Sequence, residues 1–206
     1  MKILDVRQNS SEWLFARAGI VTVSELDNLV SPTWKIRDGE SPATYMHKKL
    51  AEKILGQPID LDISTFSMDQ GHLLENEAIP YLSYVHNLKV ERVGLCLTED
   101  GKVGASPDGL IGEYSGVEVK SPMDHTHLKY LLGGILPKEY MAQVYGSMWV
   151  TGRSSWYFLS YSRKFPKLLI KIDRDEAIMS AISKAVETYY TTFDQALAKI
   201  ERLKTA

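Results

Sequence analysis

The feature that most constrains this chain is a change of period. Up to about residue 87 its apolar residues recur every three or four positions; from Leu88 they alternate, the pattern of strand rather than helix. The stretch LKVERVGLCLTEDGKVGAS alternates, reverses at Asp100-Gly101 and alternates again, which predicts a hairpin. GLIGEYSGVEVK predicts two more short strands around a Gly/Ser turn. Helical pattern resumes at PKEYMAQVYGSMWVTG, followed by strands SSWYFLSYS and KLLIKI and a long amphipathic helix from about Asp173. This order implies an α/β domain with a mixed sheet and helices on its faces.

The first third carries helix signals of its own. Ser10 and Ser11 can cap a short helix through EWLFARA, stopped by Gly19. TVSEL reads as a capping box, with Thr22 as cap and Glu25 three residues later. SPATYMHKKLAEKILG offers a serine cap, proline at the first helical position and Gly56 at the close. DQGHLLENEAIPYLSYVHN sets Leu74, Ala78, Tyr81, Leu82 and Val85 on one face of a further helix. With no repeats or linker-like tracts in 206 residues, a single domain over 1–206 is expected.

Composition narrows the setting. At 44% hydrophobic the chain can bury a sizeable core. Cys96 is the only cysteine, so no intrachain disulfide can form and a reducing, cytoplasmic home is expected. Its apolar neighbours in VGLCLTE make it a core residue rather than a nucleophile. The N-terminus has no apolar signal core, and no apolar stretch nears the roughly 20 residues of a membrane span. The net charge of −2 does not advertise a nucleic-acid binder, but its distribution is uneven: residues 61–119 carry ten acids against three Lys/Arg, and 120–171 two against eight. Such a division is either two solvated faces or a site that holds cations while gripping a polyanion.

Chemistry concentrates between Asp108 and Lys120. In VEVK the side chains of Glu118 and Lys120 point one way, roughly 6.6 Å apart along the strand, while Val117 and Val119 face the core. Asp108, after Pro107 and ten residues before Glu118, can return across the Gly-rich turn to the neighbouring strand. A lone E-x-K is ordinarily a surface ion pair; a second acid at this distance changes the reading. Two carboxylates converging on one point repel unless a cation lies between them, and Mg²⁺ suits such an oxygen cage. A lysine beside it can position a water or help deprotonate it. That is the equipment of phosphodiester hydrolysis.

The spacing PD-x9-E-x-K resembles the PD-(D/E)xK nuclease core. SPDGL…GVEVKSP, YMAQVYGSMWVT, WYF, EWLFARAGIVTVSEL and GHLLENEA together resemble the phage lambda exonuclease family of viral recombination exonucleases, over most of residues 12–160. The resemblance implies a restriction-endonuclease-like α/β core with a mixed sheet of about five strands flanked by helices. It assigns Asp108, Glu118 and the carbonyl of Val119 to metal binding, Lys120 to catalysis, and Glu75 to a helical acid that reaches the metal, directly or through water. Gln143 matches a helical glutamine that orients the lysine or the water. Tyr140, three residues earlier on the same helix face, either flanks that cleft or is a half-buried core tyrosine. Arg17 and Ser24 match the positions that bind a terminal 5′-phosphate.

The implied activity is a Mg²⁺-dependent 5′→3′ exonuclease on linear double-stranded DNA, with Mn²⁺ as a substitute and two ions per site. It would release 5′-mononucleotides and leave 3′ overhangs for single-strand annealing. The implied partners are DNA ends, two further copies in a homotrimeric ring, and a phage single-strand annealing protein, with no membrane; the implied setting is the cytoplasm of a bacterial host. A PD-(D/E)xK endonuclease of restriction or junction type, and an end-binding module without catalysis, are the rival readings. Residues 31–63 follow the family only loosely, and nothing there is assigned. His125 and His127 in DHTH are expected at a solvated helix start rather than in a zinc site, given a single cysteine. The chain has neither a P-loop nor a G-x-S-x-G elbow.

Overall fold

A computed structural model describes residues 1–59 and 66–204, with the side chains of 66–73 and of Glu75 outside that description. The elements in chain order begin with β1 (Lys2–Leu4), α1 (Ser11–Arg17), β2 (Val21–Thr22), a 3-10 turn (Val23–Asn28), α2 (Glu40–Leu55) and α3 (Phe66–His86). Five short strands follow: β3 (Val90–Glu91), β4 (Leu95–Leu97), β5 (Val103–Ala105), β6 (Gly109–Ile111) and β7 (Ser115–Lys120). Then come α4 (Asp124–Gly133), α5 (Lys138–Thr151), β8 (Ser155–Ser160), β9 (Leu168–Asp173) and α6 (Glu176–Lys204).

The described strands form two sheets. The predicted hairpin is β4–β5, and it belongs to a four-stranded sheet of order β1-β4-β5-β2. The expected mixed sheet of five strands is the other, ordered β3-β6-β7-β8-β9. Its mixed character comes from one pair: β7 and β8 run parallel, with Glu118 opposite Phe158 and Lys120 opposite Ser160. A parallel pair needs a crossover, supplied here by α4 and α5.

Both faces of β7 are covered, so four of its six residues are buried. On one face Val117 and Val119 pack with Leu159 and Tyr161 beneath Ala78, Ile79 and Leu82 of α3. On the other, Val144 and Met148 of α5 join Trp156 and Phe158 of β8, Leu26 and Leu29, and Ile182, Val186 and Tyr189 of α6 in the larger cluster. Cys96 is fully buried, as expected, and burial pushes its thiol up to about 11. Among the described residues no helix is long and apolar enough to cross a membrane.

Several local expectations need correction. Ser10 caps α1 as anticipated, its hydroxyl accepting from the Trp13 N–H at 3.2 Å. Thr22 makes no such backbone bond; its hydroxyl donates to the Glu25 carboxylate at 2.8 Å, and the turn that follows is 3-10. The second helix is capped at Gly39, with Ser41 and Pro42 inside its first turn, where a missing N–H costs nothing. Val85 is 60% exposed, because the apolar cluster under α3 ends at Leu82. The helix α4 begins at Asp124, so DHTH is the helix start expected of it. His127 on it is fully buried instead of solvated, whereas His125 is exposed.

Candidate active site

The site forms where β6 begins and β7 ends. Past the last β6–β7 pair, Gly109 opposite Val117, the Val119 N–H has no strand partner on β6 and donates instead to Asp108 Oδ2 at 2.5 Å. A side chain thereby completes the ladder, and Asp108 is held beside the strand that carries Glu118. The Glu118 side chain is only 3% exposed; its Oε1 receives the Lys120 ammonium at 2.6 Å and the Gln143 amide at 2.7 Å. Lys120 lies at the strand end with its side chain 27% exposed, and its Nζ stands 5.3 Å from the Tyr140 ring centre. That ring stacks on Phe158 at 5.2 Å. Tyr140 is thus half-buried, with its ring facing the lysine.

The electrostatics follow from this packing. Burial disfavours the charged form of Lys120, but the neighbouring Glu118 and Asp108 carboxylates outweigh it and hold the amine above its ordinary range. Lys120 is thus an ammonium throughout neutral pH. Among the described groups, two carboxylates face one ammonium, a net of −1 in a largely buried setting. Hard oxygen donors with surplus negative charge fit a divalent cation such as Mg²⁺. Among the described residues no three His, Cys, Asp or Glu side chains converge. The side chain of Glu75, the remaining expected ligand, lies outside the described residues.

A second cluster lies between α1, the 3-10 turn and α2. Arg17 donates to Ser24 Oγ at 3.1 Å, and its guanidinium sits 3.9 Å over the Trp13 ring. Both line a cavity of about 160 Å³ with Glu25, Lys48, Lys49 and Glu52. The buried Lys49 bonds Glu52 at 3.1 Å and pairs with Glu25 at 3.3 Å. Burial works against the charge of Glu25, but Lys49, the Thr22 hydroxyl and Lys48 together keep its carboxyl below the usual range. Three cations against two carboxylates leave this cavity one positive charge in surplus, the opposite sign to the first cluster.

Sequence reasoning missed what joins the two. The Trp13 indole N–H donates to Ser106 Oγ at 2.8 Å, two residues before Asp108. A partial signal was present: Trp13 and Arg17 are four apart, one helical turn, so they share a face. The lysines of α2 carried no such signal, being one more basic pair on a helix. His127 turns out to be structural: its ring nitrogens lie 2.7 Å from Ser160 Oγ and 2.9 Å from the Pro166 carbonyl, which ties α4 to the end of β8.

Comparisons with known proteins bear on the family and the fold. The profile of the YqaJ-like viral recombinase domain matches residues 12–154. The crystal structure of LHK-Exo in complex with dAMP, an alkaline exonuclease from Laribacter hongkongensis, superposes with a TM-score of 0.85 at 27% identity, covering 95% of this chain and 98% of that one. A phage-related exonuclease from Haemophilus somnus 129PT shares the fold, with a TM-score of 0.64 at 14% identity over 88% of this chain and 96% of its own. An uncharacterised Escherichia coli K12 protein, ExoD, is 36% identical over 78 residues, 35% of this chain and 90% of ExoD.

Proposed function

The chain belongs to the YqaJ-like viral recombinase domain family, and on that basis we propose that it is a nuclease that digests linear double-stranded DNA from its 5′ ends, releasing 5′-mononucleotides and leaving 3′ overhangs. The observation that carries this reading is the Glu118 carboxylate, held at once by Lys120 and Gln143, with the Asp108 carboxylate also acting on that lysine. The similarity to an alkaline exonuclease whose structure contains dAMP, itself a 5′-mononucleotide, supports it.

Asp108, Glu118, the Val119 carbonyl and Glu75 would hold Mg²⁺, with Mn²⁺ as a substitute and two ions per site; such ions would polarise the phosphate and make a bound water easier to deprotonate. The protein's own groups do the rest. The Lys120 ammonium orients the attacking water and offsets charge on the phosphate as the bond breaks. Gln143 keeps Glu118 in one orientation, and the Tyr140 ring faces the lysine. Arg17 and Ser24 grip the terminal 5′-phosphate, the guanidinium offering a two-pronged donor. Trp13 links that grip to the strand entry at Ser106, so the end is held at a fixed distance from the scissile bond.

A chain of this length has a radius of gyration near 17 Å, too small to surround a duplex alone. The proposed assembly is a homotrimeric ring on DNA in a bacterial cytoplasm, delivering its 3′ strand to a phage annealing protein. The test compares linear with covalently closed circular duplex, with and without Mg²⁺. Digestion of the linear form alone, and only with Mg²⁺, is expected; cutting of closed circles would replace this reading with an endonuclease.

A further inference from the structure

The chain passes between its two sheets twice in this region: at 92–94, from β3 to β4, and at 106–108, from β5 to β6. One side chain from a third place stitches both passages. The amide nitrogen of Gln8 lies 3.0 Å from the Val93 carbonyl, 3.4 Å from that of Gly94 and 2.9 Å from that of Pro107. The backbone leading to Gln8 is pressed against the same spot, since a Cβ on Gly94 would lie 2.3 Å from the Val6 carbonyl oxygen. The Pro107 carbonyl belongs to the peptide whose nitrogen is that of Asp108. We propose that Gln8 is a positioning residue for the metal-binding acid, fixing the Pro107–Asp108 peptide so that the carboxylate meets β7 at a set angle.

The physical argument is one of two anchors. Asp108 is held at its carboxylate end by the Val119 N–H and at its main-chain end by Gln8. Pro107 supplies no N–H, so the segment has one fewer means of fixing itself. A primary amide is the side chain suited to this place: it presents N–H donors to several carbonyls at once and brings no net charge near the carboxylates. A glutamate of the same shape would set an acceptor against three carbonyls; a methionine would fill the space and donate nothing.

This inference rests on Asp108 being a metal-binding acid, and the experiment separates the two. Mn²⁺ is titrated calorimetrically into the full-length parent, Gln8→Met, Gln8→Glu and Asp108→Asn without DNA, and kcat and KM are measured on linear duplex. Loss of a supporting hydrogen bond to a ligand weakens metal binding about tenfold. Both Gln8 variants are expected to bind Mn²⁺ that much more weakly and to lose kcat by a similar factor, with KM for DNA ends unchanged and a native circular dichroism spectrum. Parent-like Mn²⁺ affinity and kcat in either folded Gln8 variant overturn the proposal. Parent-like Mn²⁺ binding by Asp108→Asn overturns the metal reading itself, whatever the Gln8 variants do.

Discussion

Trp13 and Ser106, 93 positions apart in sequence, are joined by a 2.8 Å hydrogen bond. The same indole carries the Arg17 guanidinium on its face, so a helix residue ties the basic cavity to the acidic site. Trp13→Phe keeps an aromatic ring under Arg17 and removes the bond. A neutral hydrogen bond contributes about 1 kcal/mol, roughly fivefold in rate. The preference for 5′-phosphorylated over 5′-hydroxyl ends is expected to fall by about that factor, as read from initial digestion rates; an unchanged preference would confine Trp13 to packing.

Arg17 itself should set that preference. In Arg17→Ala the phosphorylated and hydroxyl ends are expected to be digested at equal rates, while Arg17→Lys retains part of the difference, since an ammonium is a point charge without the guanidinium fork. Equal rates in the parent would remove the phosphate role from this cavity.

Lys120→Met should separate binding from chemistry. Nucleotide release is expected to fall at least about a hundredfold, the scale of a lost proton-transfer or orienting group, while gel-shift affinity for duplex ends persists. Because the ammonium bonds the Glu118 oxygen that a metal would approach, Lys120→Met is also expected to bind Mn²⁺ more tightly without DNA. Weaker binding would mean that lysine and metal do not compete for that carboxylate.

The same pair has a pH signature. The folded-state pKa of Lys120 is raised above its ordinary 10.5, so its stabilisation is complete below that value and fades only as pH climbs through the raised one. The gap in melting temperature between metal-free parent and Lys120→Met should stay level from about pH 6 to about pH 9 and narrow only above roughly 10.5. Narrowing near neutrality would show that another group sets it.

Gly116 tests the scaffold rather than the chemistry. A Cβ there would lie 2.3 Å from the Trp156 ring, which is fully buried, so neither partner has room to yield. Overpacking of this kind costs about 1–3 kcal/mol. Gly116→Ala should lower the urea midpoint accordingly and slow digestion by shifting β7; a parent-like midpoint would mean that the strand can slide.

What was legible in the sequence is what short-range periodicity carries. Alternation put Glu118 and Lys120 on one side of β7, and helical spacing put Gln143 and Tyr140 on one side of α5; these four do meet. What was not legible depended on distant partners. Nothing in VGLCLTE says that its strand joins the N-terminus in a separate sheet, because pairing of Ile3 with Cys96 is a matter of tertiary register. The cap at Ser41 failed because Gly39, with φ at 92°, lets the chain enter the helix earlier. DHTH looked like a surface stretch because its partners, Ser160 and Pro166, lie across the crossover. Gln8 and Trp13 escaped for the same reason.

The parallel pairing of β7 with β8 has a consequence in time. The two strands can meet only after the chain between Lys120 and Ser155 has folded back on itself, a long closure that local contacts cannot hasten. Gln143 rides on that returning segment, so the amide that holds Glu118 arrives with the crossover and not before. During refolding, helical signal should therefore return ahead of hydrolytic activity. A nuclease of this family is in this way assembled with its acidic pocket completed only as the strand bearing the charges gains its second neighbour.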